Sequence, residues 1–396
     1  MPFDSHSVAD LISGIKIIDA DTHLSEPHDL WTSRAPARLK DRLPRVKIVD
    51  GVRRWVIDDD IPLSDGASPI SVVRKDGSKS QSLEFFGWQI EDVHAGAYDT
   101  AARLKVMDET HIFAQIVYPN VLGFGGQKTA RVDAELRIAS IQIFNDAMAE
   151  MQADSKGRLF PMALLPWWDV DASAKETERC KAMGLRGVII NSDPHLLAGT
   201  LDLTDKRWDK LWETCAGIDM PIHFHIGASD SAHDWFGTSF WPGQPRHVQF
   251  VIGSSMLFFG NARVMANIML SGILDRHPTI KFVSVESGIG WIPFLLETIE
   301  YQLVENANGQ NFDLTPAEYF DRNIWSCFWF ERRNIADTIR QVGADKVMFE
   351  TDFPHPTCLF PDPLGHAASG LAALTPDVRR KVLSGNAAKL YNIPVD

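Results

Sequence analysis

Short runs of apolar and β-branched residues alternate along this chain with longer stretches of helical periodicity. Such alternation is typical of a parallel sheet assembled from βαβ units. The runs that predict strands are residues 16–21, 113–118, 159–165, 187–191, 221–226, 280–285, 324–328 and 346–350. Helical patterns fall between them, for example over residues 134–152 and 205–218. The eight runs predict an α/β fold of the (β/α)₈ TIM-barrel type, with residues 1–396 forming a single domain.

Two segments are too long to be ordinary connections in a compact barrel. Residues 24–100 follow the first strand and contain Gly-rich turns, so we expect an excursion with some hairpin structure. Residues 227–262 follow the fifth strand and are rich in aromatic residues. These are Trp235, Phe236, Phe240, Trp241, Phe250, Phe258 and Phe259. Both inserts start where barrel active sites are built, and the sequence leaves open whether they form a lid or a packing surface.

The composition narrows the classes of partner. The chain has 39 Lys and Arg against 52 Asp and Glu, a formal net charge of −13, which argues against a nucleic-acid surface. Its start lacks the pattern of a signal peptide, and no apolar span is long enough to cross a membrane. Four widely spaced cysteines fit a reducing compartment. We therefore predict a cytoplasmic protein with a small-molecule substrate, no nucleic-acid or membrane partner and, on base rates, a homodimeric assembly.

Acidic and imidazole side chains occur together at the ends of two predicted strands. Alternation along the first strand places Asp19, Asp21 and His23 on one side of it. The fifth strand carries His223 and His225, also on one side, within an apolar run. Buried imidazoles without a metal or hydrogen-bond partners are costly, and both residue types are common metal ligands. The two strands therefore indicate a metal site at the C-terminal mouth of the barrel.

The eighth predicted strand contributes a further carboxylate. Asp352 follows this strand toward the same rim, where it can bind a metal or take a proton from an attacking water molecule. The alternative is that Asp352 caps the loop. Because three strands separately offer ligand-type residues at one end of the barrel, we interpret them together as one site.

These motifs resemble the amidohydrolase superfamily. The matching patterns are D-x-D-x-H at residues 19–23, P-I-x-x-H at 221–225 and T-D-F-P at 351–354, supported by D-R-H-P at 275–278 and G-N-A-A-K-L-Y at 385–391. They are most similar to the branch called amidohydrolase 2, which includes aminocarboxymuconate-semialdehyde decarboxylase and γ-resorcylate decarboxylase. The resemblance spans nearly the whole chain, in order and at barrel spacing.

The resemblance implies a set of metal ligands. Asp21, His23, His225 and Asp352 would hold one divalent ion, with zinc as the first choice and manganese as the alternative. Glu26, three residues after His23, would bind substrate or orient a ligand from the rim loop. We assign the same kind of supporting role to His355, which follows Asp352 by three residues. We interpret it as a hydrogen-bonded loop residue that can reach the pocket.

The sequence departs from the family pattern on the sixth strand. Family decarboxylases have a His there, whereas this chain has Glu286 in the run 285–291. An anionic Glu beside the metal would repel a substrate carboxylate by about 1 kcal/mol or more near 4 Å. Glu286 is open to four interpretations: a general acid or base, a partner of His225, a ligand to a second ion, or a buried Glu paired with an Arg.

These residues are compatible with three functions. We place first a metal-dependent hydrolase acting on an apolar or aromatic amide, lactone or C–C bond. In that reaction Asp352 takes the proton of the attacking water, and Glu286 or His223 protonates the leaving group. The alternative is a metal-dependent non-oxidative decarboxylase of an aromatic or unsaturated carboxylic acid. A catalytically silent binding protein is the third reading, and the intact ligand set argues against it.

Overall fold

The computed structural model describes residues 8–196, 200–229, 241–307 and 312–395. The strands are β1 Ile17–His23, β2 Arg45–Val49, β3 Val52–Ile57, β4 Ile61–Pro62, β5 Ile112–Tyr118, β6 Leu159–Pro161, β7 Ala163–Leu164, β8 Val188–Ile189, β9 Ile222–His225, β10 Phe282–Val285, β11 Ile324–Phe328 and β12 Val347–Phe349. The helices are α1 Val8–Ile12, α2 Thr100–Glu109, α3 Ala134–Asp154, α4 Val170–Ala182, α5 Asp209–Gly217, α6 Arg246–Leu257, α7 Gly260–Leu270, α8 Ile273–Arg276, α9 Ile292–Asn306, α10 Pro316–Asn323, α11 Ile335–Val342, α12 Pro363–Leu371, α13 Pro376–Arg380 and α14 Asn386–Leu390.

The parallel strands lie in the order that the sequence predicts. One sheet runs β1-β5-β6 and another runs β7-β8-β9-β10-β11-β12, so every predicted run contains a strand. The predicted third strand is divided at Met162, whose N–H donates to Val117 on one side while the next N–H, of Ala163, donates to Gly187 on the other. The chain therefore changes hydrogen-bonding partner at Met162 while continuing in the same direction. The α/β prediction is confirmed.

The first strand also meets the segment that follows the last one. Thr22 and Phe353 form a parallel bridge. The Asp352 N–H donates to the Asp21 carbonyl at 2.9 Å, and the His23 N–H donates to the Phe353 carbonyl at 2.7 Å. These backbone bonds place the ends of β1 and β12 side by side.

Helices pack around the strands through apolar faces. On α11, for example, Ile335, Ala336, Ile339 and Val342 are buried, which is the i, i+4, i+7 spacing of one helix face. β1 is buried along its whole length, as expected for a strand covered on both sides. One connected hydrophobic core extends from Ile17 to Ile393 and joins both ends of the described chain.

The two long connections contain structure of their own. Residues 24–100 include an antiparallel sheet of order β2-β3-β4, together with short 3₁₀ turns. Residues 227–262 include α6 and the start of α7, whereas residues 230–240, with Trp235, Phe236 and Phe240, lie outside the described residues. The rings of Phe86 and Phe250 meet at 5.9 Å between centroids. The connections therefore contact each other on the side of the strand ends.

Two further sequence predictions concern the whole chain. Within the described ranges, no helix combines the length and apolar character that crossing a membrane requires. The four cysteines, Cys180, Cys215, Cys327 and Cys358, are buried and free of disulfide bonds.

Asn145 of α3 completes the hydrogen bonding of the short strand β7. Its amide donates to the Leu164 carbonyl and accepts from the Leu164 N–H, both at 2.9 Å, and donates to Glu176 at 2.7 Å. We predict that Asn145→Ala lowers the free energy of unfolding by about 3 kcal/mol, because two buried backbone groups lose their partner. Denaturant unfolding followed by circular dichroism measures the change. Asn306→Ala, on the exposed side of α9, is the control and should stay within about 0.5 kcal/mol of the parent.

Candidate metal centre

Six side chains with metal-ligating atoms converge at the C-terminal ends of the parallel strands. They form two overlapping sets of four. The primary set is Asp21, His23, His225 and Glu286, and the secondary set is His23, Glu286, Asp352 and His355. Within each set the ligand atoms all lie within 4.8 Å of one another. The structure thus brings the four predicted ligands together, with Glu286 standing between the two sets.

The distances define where each set is tightest. His23 Nε2 lies 3.4 Å from Asp21 Oδ1 and 3.3 Å from Asp352 Oδ1. His225 Nε2 lies 3.3 Å from Glu286 Oε2 and 3.6 Å from Asp21 Oδ1. The Asp352 carboxylate therefore lies beside His23, and the Glu286 carboxylate lies at the same distance from His225.

The inward atoms of this cluster lack ordinary partners. Both oxygens of Asp21, Nε2 of His23, Nε2 of His225 and Oδ1 of Asp352 are buried without a hydrogen bond from any described residue. The side chains of all four residues are 0% exposed. An unpaired carboxylate in such surroundings costs several kcal/mol, and a cation removes that cost. The donor set, two imidazoles and several carboxylates, fits one divalent metal ion.

Hydrogen bonds to the far side of the imidazole orient His225. Its Nδ1 lies 2.7 Å from the Ile226 carbonyl, so Nδ1 carries the proton and Nε2 offers its lone pair to the cluster. This is the arrangement found for metal-bound histidines, in which the second ring nitrogen donates to a carbonyl or carboxylate.

Left-handed backbone conformations aim two of the carboxylates. Glu286 has φ 53° directly after β10, and Asp352 has φ 58° in the turn after β12. Few non-glycine residues adopt this conformation, and those that do concentrate at functional sites. Here the conformation occurs at the residue that follows β10 and in the turn after β12, where the two carboxylates lie beside His225 and His23.

A series of buried polar side chains, linked by hydrogen bonds, supports the cluster. Asp19 accepts hydrogen bonds from the Thr351 N–H at 2.8 Å, the Thr351 hydroxyl at 2.6 Å and Gln115 at 3.1 Å. Arg103 donates in turn to Gln115 at 3.2 Å and to the His23 carbonyl. Asp19 thus belongs to the support of the site, linking β1, β5 and the segment after β12, and the pairing of β1 with β5 is irregular between Asp19 and Thr22.

Burial sets the protonation of the cluster in the absence of a cation. It lowers the pKa of His23 to about 3 and that of His355 well below its usual range, so both rings are neutral. Burial is also the largest cause that raises the pKa of Glu286 well above its usual range, and Asp352 and Asp21 raise it further. The pKa of Asp352 is raised as well, again by burial first. Neutral imidazoles are the form that binds metal.

Two predicted site residues lie beside the cluster without joining either set. Both nitrogens of His223 are engaged, with the Val188 carbonyl and the Tyr391 hydroxyl at 2.9 Å each. Glu26 accepts from the N–H groups of Asn120 and Val121 at 2.8 and 3.0 Å, which ties the loop after β1 to the loop after β5. Burial raises the pKa of Glu26 to about 7.

Two residues of the loop after β5 take part in the site although no motif identified them. The Phe124 ring lies 4.1 Å from the His225 ring and 5.1 Å from the His23 ring, between centroids. Asn120 Oδ1 lies 2.8 Å from His355 Nε2. Their position after a predicted strand was the available signal, because loops at the C-terminal ends of barrel strands carry site residues.

Comparison with known proteins gives consistent matches. The family described as amidohydrolase matches residues 18–393. A γ-resorcylate decarboxylase from Polaromonas sp. (strain JS666) is 26% identical over 311 residues, covering 74% of this chain and 86% of the relative. An amidohydrolase structure from Mycobacterium avium subsp. paratuberculosis K-10 aligns with a TM-score of 0.74 at 23% identity, covering 95% of this chain and 99% of that one. A dihydroxybenzoic acid decarboxylase from Polaromonas sp. JS666, solved with manganese and the inhibitor 2-nitroresorcinol, aligns with a TM-score of 0.61 at 18% identity, covering 96% and 97%.

The two histidines of β9 offer a matched test of the metal centre. We predict that His225→Gln lowers the affinity for manganese or zinc by more than the roughly 10–100-fold that loss of an outer partner costs, because Nε2 faces the cluster. His223→Gln should retain the metal, because both of its ring nitrogens are already bonded elsewhere. Elemental analysis of the purified variants measures bound metal, and circular dichroism checks their folding. Equal metal content in the two variants would contradict the assignment.

Proposed function

The chain belongs to the amidohydrolase family, and we propose that it is a metal-dependent decarboxylase that releases CO₂ from an aromatic carboxylic acid. The observation that carries the proposal is the buried cluster of imidazoles and carboxylates at the strand ends. The matched γ-resorcylate and dihydroxybenzoic acid decarboxylases supply the reaction class. Membership of the family confirms the resemblance drawn from the motifs, while the comparisons favour decarboxylation over the hydrolysis that we placed first.

The fold we propose is a closed (β/α)₈ barrel that forms one catalytic domain. The parallel strand order and the bridge between Thr22 and Phe353 support closure between the first and last strands. The solved relatives of the family, aligned over most of their length, support it further. The homodimer and the cytoplasmic location stay predictions.

We assign the cation to the primary set. Asp21, His23 and His225 would hold it, with Glu286 as the fourth group within ligand distance. When bound, a divalent ion supplies Lewis acidity that stabilises negative charge on the oxygens of a substrate. Manganese gains support as the metal because a matched decarboxylase was solved with it, and zinc remains the alternative.

Aromatic side chains at the C-terminal ends of the strands fit an aromatic substrate. Phe124 packs on the His225 ring, beside the nitrogen that faces the cluster. Beyond β11, the rings of Phe258, Trp329 and Phe330 contact one another at 4.5–5.5 Å between centroids. Such surfaces favour flat apolar rings, which stack on or against aromatic faces.

Asp352 is the group that we assign to carry the proton. Its Oδ1 faces the cluster without a hydrogen-bond donor from the described residues, while its Oδ2 accepts from the hydroxyl of Thr357. The proton moves from this carboxyl to the ring carbon that bears the substrate carboxylate. The bond to the carboxyl carbon then breaks, its electron pair returns to the ring and CO₂ leaves. Thr357 is exposed, so its hydroxyl connects Asp352 with solvent for reprotonation.

We predict that the metal-loaded protein releases CO₂ from hydroxylated benzoic acids. We also predict that Asp352→Asn lowers kcat by about 10²–10⁴-fold, because an amide cannot deliver the proton. The measurements are CO₂ release and, in heavy water, deuterium at the ring carbon that lost the carboxylate. Asp377→Asn, an exposed carboxylate on α13, is the control and should keep full activity. Absence of CO₂ release across a panel of such acids would contradict the proposal.

Hydrolysis is the second candidate, and Glu286 is the observation that favours it. Its carboxylate lies 3.3 Å from His225, where it adds negative charge beside the metal site. A carboxylate substrate near 4 Å would be repelled by about 1 kcal/mol or more, whereas a neutral amide or lactone would not. In that reaction Glu286 would protonate the leaving group.

Replacement of Glu286 separates the two candidates. We predict that Glu286→His, assayed with one equivalent of metal per chain, raises CO₂ release by about fivefold, because removing the charge removes about 1 kcal/mol of repulsion. If the protein is a hydrolase, the same variant instead loses amide or lactone hydrolysis and gains no CO₂ release. Glu305→His, on the exposed side of α9, controls for the added imidazole.

A further inference from the structure

The secondary set contains a ligand that the primary site does not use. His355 lies 6% exposed in the loop after β12, stacked on His23 with 3.6 Å between ring centroids and 7° between planes. We propose that Glu286, Asp352 and His355 form a second divalent-cation site, whose occupation withdraws Asp352 from proton transfer and so inhibits the enzyme. The inhibition rests on the proposed function, whereas the binding of the second ion does not.

Hydrogen bonding fixes which nitrogen of His355 is free. The Asn120 amide nitrogen donates to the Leu24 carbonyl at 2.8 Å, which leaves its oxygen as the acceptor toward His355. His355 Nε2, 2.8 Å from that oxygen, therefore carries the proton. Nδ1 then presents a lone pair on the opposite side of the ring. An amide oxygen that holds the outer N–H of an imidazole is a common outer partner of metal-bound histidines.

The free nitrogen of His355 faces a carboxylate oxygen. Nδ1 lies 3.5 Å from Asp352 Oδ1, and this oxygen is buried without a hydrogen-bond donor from the described residues. When Asp352 is ionised, these two electron-rich atoms repel each other, and their separation exceeds that of an ordinary hydrogen bond. A cation coordinated by both atoms turns this repulsion into attraction, and the remaining coordination positions can be filled by Glu286 and water.

The charge of the cluster also favours a second cation. Asp21, Glu286 and Asp352 carry three negative charges when ionised, and one divalent ion offsets two of them. The remaining negative charge is buried with Glu350, whose Oε2 accepts from the Glu286 N–H. Glu286 belongs to both ligand sets, so its carboxylate can bridge two ions. Two-ion sites in proteins place the ions about 3.5–4 Å apart, a spacing that one carboxylate can span.

Occupation of the second site has a consequence for the reaction. Asp352 cannot hold a cation through Oδ1 and deliver a proton from the same atom. The first equivalent of metal therefore activates the enzyme, and excess metal inhibits it. The inhibited form binds its second ion through His355, which has no place in the primary set.

The experiment counts bound manganese ions in the full-length protein, with no substrate present. Manganese is titrated to saturation, and bound ions per chain are measured by elemental analysis after equilibrium dialysis. Electron paramagnetic resonance reports whether two bound ions are magnetically coupled, which requires that they are neighbours. We expect two coupled ions in the parent protein, one ion in His355→Ala, and two in the control His195→Ala, an exposed histidine beyond β8.

Asn120→Ala provides a second variant that keeps all six ligands. Because it removes the outer partner of His355, we expect it to weaken the second ion by about 10–100-fold and to leave the first unchanged. One ion in the saturated parent protein, or two in His355→Ala, would overturn the proposal. If two ions bind at saturation but no CO₂ is released even with one equivalent of manganese, the second site stands and the proposed function fails. If CO₂ is released with one ion at most, the function stands and the second site fails.

Discussion

Burial of charge at the strand ends is the constraint on which the rest of the site depends. Asp21, His23, His225 and Asp352 are inaccessible to water, yet their inward atoms lack hydrogen bonds from the described residues. Water cannot solvate these atoms and the protein does not pair them, so a cation is the group that satisfies them. By contrast, the far nitrogen of His225 is held by the Ile226 carbonyl, and the second oxygen of Asp352 accepts from the Thr357 hydroxyl. The hydrogen bonds that join Asp19 to Thr351 and Gln115 support the site in another way. They keep the strands that carry the ligands in one position.

Much of this arrangement could be predicted because it repeats along single strands. Alternation in β1 placed Asp21 and His23 on one side, and the apolar run around His225 marked a buried strand. The pairing of Asn120 with His355 could not be predicted, since 235 residues separate them and neither belongs to a periodic pattern. The division of the carboxylates between the two ligand sets could not be predicted either, because it depends on the left-handed backbone at Glu286 and Asp352.

Hydrolysis is favoured over decarboxylation when Glu286 is treated as an isolated charge near a substrate. In the structure it is one of several interacting carboxylates, lying 3.3 Å from His225 and bonded through its own N–H to Glu350. Its effect on an anionic substrate therefore depends on how many cations the cluster holds. The matched relatives include decarboxylases, and Glu286 gives the proposed ligand set one more negative charge than a neutral residue at that position would.

The buried position of the cluster restricts access to it. The ligand side chains are between 0% and 10% exposed, so a substrate must displace part of the covering connections. The strands cannot move apart without disrupting the continuous core, whereas the contacts between the two connections include the ring pair of Phe86 and Phe250. An aromatic pair of this kind contributes about 0.5–1.5 kcal/mol beyond its buried area, which is small beside the stability of the core. We therefore expect the connections, rather than the strands, to yield to a substrate and to select it.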